Sequence, residues 1–287
     1  MQSPTLKIAI QKSGRLSDDS IKLLKECGIK FNHGKNQLVA PSSNFPIEIL
    51  YLRVADIPQY VADGIADLGI IGENVFLEKN ENIENAKALG FSKCRLSLAI
   101  QKSETYTDLS FFEGKKIATS YPVILSNFLE KNNIKAEIRQ ISGSVEIAPN
   151  IGLADAVCDI VSTGSTLLSN GLKEVTTILK SQAVLVKNKN LTTEKAKTFK
   201  KLLFRIDAVQ AAQNSKYILL NAPTTAIPEI IKILPGAKSP TILPLALKGW
   251  SSLHSVVQEE TFWDIIDELK QKGAEGILVI PIEKIIA

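Results

Sequence analysis

The stretch Asp155–Leu167, DAVCDIVSTGSTL, begins as a buried strand and then turns polar. Ala156, Val157, Ile160 and Val161 suit a sheet interior, Asp159 interrupts them, and Ser162-Thr163-Gly164-Ser165-Thr166 sets four hydroxyls around one glycine. A strand that leaves its sheet through Thr-Gly-x-Thr into a helix makes a seat for phosphate. Backbone N–H groups converge there, the helix N-terminus adds positive potential, and glycine lets a ligand reach the backbone. Thr163, Ser165 and Thr166 can add hydroxyl donors, and each hydrogen bond to a charged oxygen contributes about 1.5–3 kcal/mol. Asp159 is negative and cannot serve the phosphate; it can accept hydrogen bonds from the vicinal hydroxyls of a sugar. TGST by itself reads as an ordinary turn with a helix cap. A carboxylate inside an apolar run, costly without a partner and often functional, turns the reading towards a phosphorylated ribose.

Outward from this segment, strand and helix patterns alternate. Leu6–Ile10 reads as a buried strand, followed by a QKSGR turn and a helix capped at Ser17-Asp18-Asp19. Ile47–Leu52 and Asp67–Gly72 are further strands, with a helix between them that Asp56 caps, Pro58 opens and Gly64 closes. Cys94–Lys102 reads as a strand crossing out of a first lobe. Lys116–Thr119, Pro122–Asn132 and Lys135–Ile141 then give strand, helix and strand, and the Asp155 segment ends a second lobe. Ala183–Lys187 is a returning strand before a long helix over Thr192–Asn214. The pattern predicts an α/β fold with a largely parallel sheet and one lobe inserted into another by two crossovers. The tail reads β-α-β-β-α-β: strands at Lys216–Leu220, Ser239–Leu245, Leu253–Val257 and Gly276–Ile280. Its helices are Ala226–Leu234, stopped by Pro235-Gly236, and Thr261–Lys272, closed by Gly273. This is the split βαβ order of a ferredoxin-like module. The expected division is 1–103 for the first part of lobe I, 104–182 for lobe II, 183–214 for the return to lobe I, and 215–287 for the tail domain.

Composition narrows the chemistry. The chain has 287 residues, 45% hydrophobic and 22% charged, as a folded enzyme of several domains would. No apolar run is long enough for a membrane span, and the N-terminus does not read as a secretory signal. Cys27, Cys94 and Cys158 are odd in number and scattered, which argues against a disulfide framework and for a cytoplasmic location. Two histidines, His33 and His254, leave little for His-based zinc sites or a Ser-His-Asp triad. A net charge of +4 with no aromatic-rich basic stripe calls for no nucleic acid and suits a small anionic ligand.

The pattern Asp-x-x-x-Thr-Gly-x-Thr resembles the phosphoribosyl-pyrophosphate (PRPP) loop of phosphoribosyltransferases, although Cys158-Asp159 stands where many members have two adjacent acids. The longer pattern Glu146, Gly152, Ala154, Val157, Asp159-Ile160, Thr163-Gly164 and Thr166-Leu167 resembles the ATP phosphoribosyltransferase family. So do QKSGRLSDDS (Gln11–Ser20), DLGIIGENV (Asp67–Val75), CRLSLA (Cys94–Ala99), KKIATSYP (Lys115–Pro122) and SGSVEIAP (Ser142–Pro149), and the likeness runs through the tail, as in the family's long form. It implies transfer of the phosphoribosyl group of PRPP to N1 of ATP, the first step of histidine biosynthesis, with Mg²⁺ bound mainly through substrate phosphates. It also implies two lobes of the type II periplasmic-binding-protein kind and an ACT-like tail that binds histidine as inhibitor. A homo-oligomer, dimer to hexamer, without a separate regulatory subunit goes with that form.

Carried onto this chain, Ser162, Thr163, Gly164, Ser165, Thr166 and Leu167 hold the ribose 5-phosphate of PRPP, with Asp159 and Glu146 on the ribose hydroxyls or metal. Gln11, Lys12, Ser13, Gly14, Arg15 and Leu16 face ATP, with Lys12 and Arg15 on its phosphates or on pyrophosphate. Asp67 and Arg95 are further ATP candidates and Arg53 a weaker one. In the tail, Asn221, Ser239 and Thr241 are the candidates for histidine; Ser239-Pro240-Thr241 reads equally as a plain turn. Two rival readings remain from sequence: a two-lobed solute-binding protein, and a phosphoribosyltransferase for another base.

Overall fold

The computed structural model describes residues 4–34, 37–234, 236 and 239–286. The chain divides into two compact units, Met1–Lys25 with Ile29–Thr198, and Glu26–Gly28 with Phe199–Ala287.

The first unit holds two sheets. In the first, β1 (Leu6–Gln11) runs parallel to β3 (Ile47–Leu52) and β4 (Leu68–Gly72). The returning strand β11 (Ala183–Asn188) runs antiparallel between β4 and β5 (Ile83–Ala88), and the short β2 (Val39–Pro41) edges β3. The order is β2-β3-β1-β4-β11-β5. α1 (Arg15–Glu26) buries Ile21, Leu23 and Leu24, and α2 (Ile57–Ala62) buries Ile57 and Val61. Gly69 on β4 makes room for α2: a Cβ there would lie 2.6 Å from Ile57 Cγ2. α3 (Glu73–Lys79) follows β4 directly.

The second sheet has the order β10-β6-β9-β7-β8, from β6 (Cys94–Gln101), β7 (Lys116–Thr119), β8 (Glu137–Gln140), β9 (Ala156–Val161) and β10 (Leu172–Ser181). α4 (Pro122–Lys131) and α5 (Ser165–Ser169) belong to this lobe, whose core includes Leu96, Leu98, Ile117, Leu125 and Cys158. With β2 set aside, each sheet reads second, first, third, crossing and fourth strand: β3-β1-β4-β11-β5 and β8-β7-β9-β6-β10. The repeated order and the two exchanged strands are the two-lobed arrangement expected.

Several expectations need correction. The sheets are mixed, not largely parallel, because β11 runs against its neighbours in one and β6 against β9 and β10 in the other. β6 belongs to the second sheet, so lobe I gives way to lobe II between Ala88 and Cys94 and not at 103. α1 starts at Arg15, ahead of the Ser17-Asp18-Asp19 cap: Gly14, at φ +95°, makes the turn and its carbonyl takes the first helical bond, from Asp18 N–H at 3.0 Å. Asp56 precedes α2 in a helical conformation and makes no side-chain cap. Sequence patterning also missed β2, β5, β10 and α3. β5 and β10 are edge strands whose faces are only partly buried, so they lack a clear apolar alternation.

In the second unit, β12 (Ser215–Pro223), α7 (Ile227–Ile233), β13 (Thr241–Pro244), β14 (Trp250–Gln258), α8 (Glu259–Gln271) and β15 (Glu275–Pro281) follow in the predicted order. The antiparallel sheet β13-β14-β12-β15 is that of a ferredoxin-like module, with Ile218, Leu220, Ile230, Leu253, Phe262 and Leu269 in its core. Gly273, at φ +86°, closes α8 as expected. The Pro235 of the predicted helix stop lies outside the described residues, as does the terminal Ala287 of the predicted tail domain. By its contacts the second unit takes in α6 (Thr193–Ala212) from Phe199 on, together with Glu26–Gly28.

Candidate functional site

β9 ends at Val161, between β6 and β7, and the chain turns through Ser162, Thr163 and Gly164 into α5. Gly164 has φ +83°, a conformation that costs an L side chain about 1–2 kcal/mol. The nearest heavy atom to a Cβ there would be Val161 Cγ1 at 3.8 Å, so it is the backbone angle and not crowding that calls for glycine. The Thr163 and Ser165 hydroxyls lie 3.0 Å apart. Among the described residues no acceptor takes the N–H groups of Thr163, Gly164 or Thr166. Three open donors on one strand-to-helix turn are what an anion needs.

Asp159 sits two residues upstream of Val161, half-buried, and among the described residues its Oδ1 accepts only from the neighbouring Ile160 N–H at 2.8 Å. Burial raises its pKa above the ordinary carboxylate value; the Ile160 N–H pulls it down and the charge of Glu146 pushes it further up. The two acids are therefore close enough to sense each other. Glu146 lies in the short helical turn Val145–Ile147. Tyr121, whose pKa is pushed up to about 12 by burial first, also feels the charge of Asp159. Among the described residues no group of three or more His, Cys, Asp or Glu side chains is arranged to hold a metal. An ion bound mainly through substrate phosphates, with Asp159 or Glu146 as a further oxygen ligand, fits that donor set.

Arg95 on β6 joins the turn from the side. Its Nη1 donates to the Ser162 carbonyl at 3.3 Å, while Nε and Nη2 both bond the Glu174 carboxylate on β10. Ser97 Oγ adds a bond to the same carboxylate at 2.7 Å. Glu174 is held below the ordinary carboxylate range, first by the Arg95 hydrogen bond, so the pair stays ionised. A cavity of about 440 Å³ opens here, lined by Arg95, Ser162, Cys94, Lys93, Lys180 and Glu73, with Ser181 and Gln182. Glu174, Ser97, Lys93 and Lys180 escaped the sequence reading. Arg95 and Ser97, two apart on one strand, share a face and offered a signal; the partner strand did not.

The QKSGR turn leaves the C-terminal end of β1. Lys12 N–H bonds the Leu52 carbonyl at 2.9 Å, which sets the turn beside the end of β3 and so beside Arg53. Lys12, Ser13, Gly14 and Arg15 are exposed and Gln11 and Leu16 are half-buried. The charge of Arg15 reaches the Cys94 thiol on the cavity wall, so this turn and the β9 exit face common ground. Asp67 does not join them. It precedes β4, at the opposite end of the sheet, where Lys195 Nζ bonds both its oxygens at 2.8 and 2.9 Å and Lys7 N–H donates to Oδ2 at 2.8 Å. A carboxylate so paired and buried serves the fold at this end of the sheet, away from both turns.

Two contacts tie the lobes. Glu78 of α3 accepts from the Val123 and Ile124 N–H groups at the start of α4, both at 3.0 Å. Asn74 donates to Tyr121 OH at 3.0 Å while Ser181 Oγ donates to its Oδ1 at 3.0 Å. In the tail, Asn221 on β12 and Thr241 on β13 flank β14, opposite Ser252 and His254 respectively. His254 is bonded on both ring nitrogens, by Tyr217 OH at 2.7 Å and Ser252 Oγ at 3.1 Å, a chain the sequence did not disclose. Ser239 Oγ donates to the adjacent Pro240 carbonyl at 3.3 Å. The three cysteines are free.

The fold defines a two-lobed α/β protein with an open polar turn where β9 leaves its sheet. The sequence profile described as "HisG: ATP phosphoribosyltransferase" matches residues 53–208, and the one described as "HisG, C-terminal domain" matches 212–284. An ATP phosphoribosyltransferase of Cytophaga hutchinsonii is 58% identical over 284 residues, covering 99% of both chains. That of Phocaeicola vulgatus is 59% identical over 281 residues, 98% of this chain and 99% of the other. A solved ATP phosphoribosyl transferase (HisG:HisZ) complex from Thermotoga maritima has a chain 30% identical, with a TM-score of 0.59, covering 70% of this chain and 98% of that one. The chain belongs to the ATP phosphoribosyltransferase family, and its activity is the transfer of a phosphoribosyl group from PRPP to ATP, the first step of histidine biosynthesis. The solute-binding and other-base readings give way to it. Among the described residues no helix is long and apolar enough to cross a membrane.

Proposed function

We propose that the β9 exit is the PRPP subsite, with Thr163–Leu167 and Ser162 around the 5-phosphate, Asp159 on the ribose hydroxyls and Glu146 beside it on the ribose or metal. The observation that carries this is the set of open N–H donors at Thr163, Gly164 and Thr166, just downstream of a half-buried carboxylate that, among the described residues, is bonded by its neighbour's N–H alone. ATP then enters from the β1 side, with Lys12 and Arg15 on its phosphates or on the departing pyrophosphate and Gln11, Ser13, Gly14 and Leu16 shaping the turn. Arg53, beside that turn, is a further cation for the same charge. N1 of adenine attacks C1 of the ribose as the C1–O bond to pyrophosphate breaks, and the bonding pair leaves on the pyrophosphate oxygen. N1 already carries a lone pair, so no strong base is needed. Orientation and charge stabilisation do the catalysis. Mg²⁺, when bound through the phosphates, would neutralise the leaving group.

The tail unit is the histidine sensor in this reading, with Asn221 and Thr241 on the two strands that flank β14 and Ser239 just before β13. A homo-oligomer, dimer to hexamer, with no separate regulatory subunit accords with a chain that carries its own C-terminal family domain, and three unpaired cysteines accord with the cytoplasm. Pyrophosphate release on mixing the protein with PRPP, Mg²⁺ and ATP, compared with PRPP and free bases, tests the reaction; the site assignment is tested by PRPP binding to Gly164→Val. Unchanged affinity would remove the turn from the site. Deleting residues 215–287 should abolish histidine inhibition, and an active truncated enzyme still inhibited would rule the tail out as sensor.

A further inference from the structure

Glu174 lies on β10, an edge strand away from both substrate turns, yet it gathers more hydrogen bonds than any acid proposed for the site. Arg95 bonds it through Nε and Nη2, Ser97 Oγ at 2.7 Å and Thr177 Oγ1 at 3.3 Å. A bidentate guanidinium–carboxylate pair fixes the plane of the guanidinium as well as its position. The remaining nitrogen, Nη1, then meets the Ser162 carbonyl at 3.3 Å. That carbonyl belongs to the same peptide as the Thr163 N–H. The peptide is planar and trans, so the N–H points opposite to the carbonyl. Gripping the Ser162 oxygen from the Arg95 side aims the Thr163 N–H away from it, and among the described residues that N–H meets no acceptor.

The geometry points to Glu174 as a positioning residue that acts through Arg95 and the Ser162 carbonyl to hold the Thr163 N–H in register for the phosphate of PRPP. The relay is Glu174 carboxylate, Arg95 guanidinium, Ser162 C=O, Thr163 N–H. Glu174 touches no substrate. Arg95, read from sequence as an ATP residue, works on the PRPP side. Without the carboxylate the guanidinium can swing on its long side chain, and the peptide that carries the donor loses its brace.

This inference rests on the β9 exit being the phosphate seat, and the test separates the two. PRPP affinity, with Mg²⁺ present, is measured by calorimetry for the wild type, Glu174→Gln, Arg95→Met and the double variant, beside Gly164→Val. Glu174→Gln and Arg95→Met should each weaken PRPP binding about tenfold, the scale of one charge-assisted hydrogen bond. The double variant should lose about the same tenfold and not a hundredfold, because both changes cut one relay. KM for ATP should stay within about twofold, the scale of ordinary context variation. Arg95→Lys keeps the charge but lacks the fork that bridges Glu174 and Ser162, so it should lose PRPP affinity like Arg95→Met. Additive losses in the double variant, an equal loss for ATP, or full PRPP affinity in either Glu174→Gln or Arg95→Lys would overturn the relay. If the first variant does not fold, the lysine exchange decides. Gly164→Val binding PRPP normally would instead sink the seat itself.

Discussion

Two aspartates, Asp67 and Asp159, stand beside strands of the two sheets, and both are withdrawn from water in an otherwise apolar run. Asp67 precedes its strand and is tightly bonded: Lys195 takes both oxygens and Lys7 N–H a third bond. Asp159 is at the far end of its strand, beside the exit turn, and has one bond to its own neighbour's N–H. In a sheet with parallel strands, ligands gather at the carboxyl ends, where loops and helix N-termini meet. Position along the strand and the state of the hydrogen bonds, not burial or residue type, separate a carboxylate that holds the fold from one left with open acceptor sites.

The contrast can be broken most forcefully at Asp67. Asp67→Ala leaves Lys195 without its partner in a largely buried place and should cost about 3 kcal/mol of stability, a drop of several degrees in melting temperature, while PRPP affinity survives. A variant that melts like the wild type but fails to bind nucleotide would restore Asp67 to the site. Asp159→Asn should do the reverse, lowering kcat/KM for PRPP about 100-fold, or about 2.7 kcal/mol for two hydroxyl contacts, without lowering the melting temperature. Steady-state kinetics beside a thermal melt reads both.

Acid–base titration sharpens the same contrast. Burial holds Asp159 above the ordinary 3.8 in the folded chain, so between that value and its raised one the folded state carries more protons than the unfolded state. Stability contributed by this group therefore falls as pH rises through the window, and Asp159→Asn should flatten that slope in melts run upward from the ordinary carboxylate value. PRPP affinity should move the other way, improving as Asp159 ionises. Gly164→Ala comes next in size: with φ at +83° and room for the Cβ, folding should lose about 1–2 kcal/mol, and any further loss of PRPP affinity measures the ligand's closeness to the backbone. Smallest is Glu78→Ala, which frees two N–H groups at the start of α4 and should cost about 1 kcal/mol in a melt, with little effect on PRPP binding.

Local patterning carried far. Ile47–Leu52 and Lys116–Thr119 are strands over the residues that their apolar alternation marked, and the tail's β-α-β-β-α-β order follows from periodicity and punctuating glycines alone. It failed where elements are short or at an edge. α3 has seven residues, and β5, IENAKA, buries only Ile83 fully. Strand direction was beyond it: nothing local in Cys94–Gln101 says that it runs against β9 and β10 in the second sheet.

The sequence alone marked the polar turn at Thr163–Thr166, because that turn is local and its chemistry is written in hydroxyls and a glycine. It settled the class of the tail for the same reason. Only the tertiary structure decided which acid is free and which is spoken for. Lys195 lies 128 residues from Asp67 and Glu174 lies 79 from Arg95, and β10 meets β6 through register shifts between Glu174 and Thr176 and between Thr177 and Leu179. Pairings across such distances are fixed by the packing of whole sheets, which no window of neighbouring residues contains.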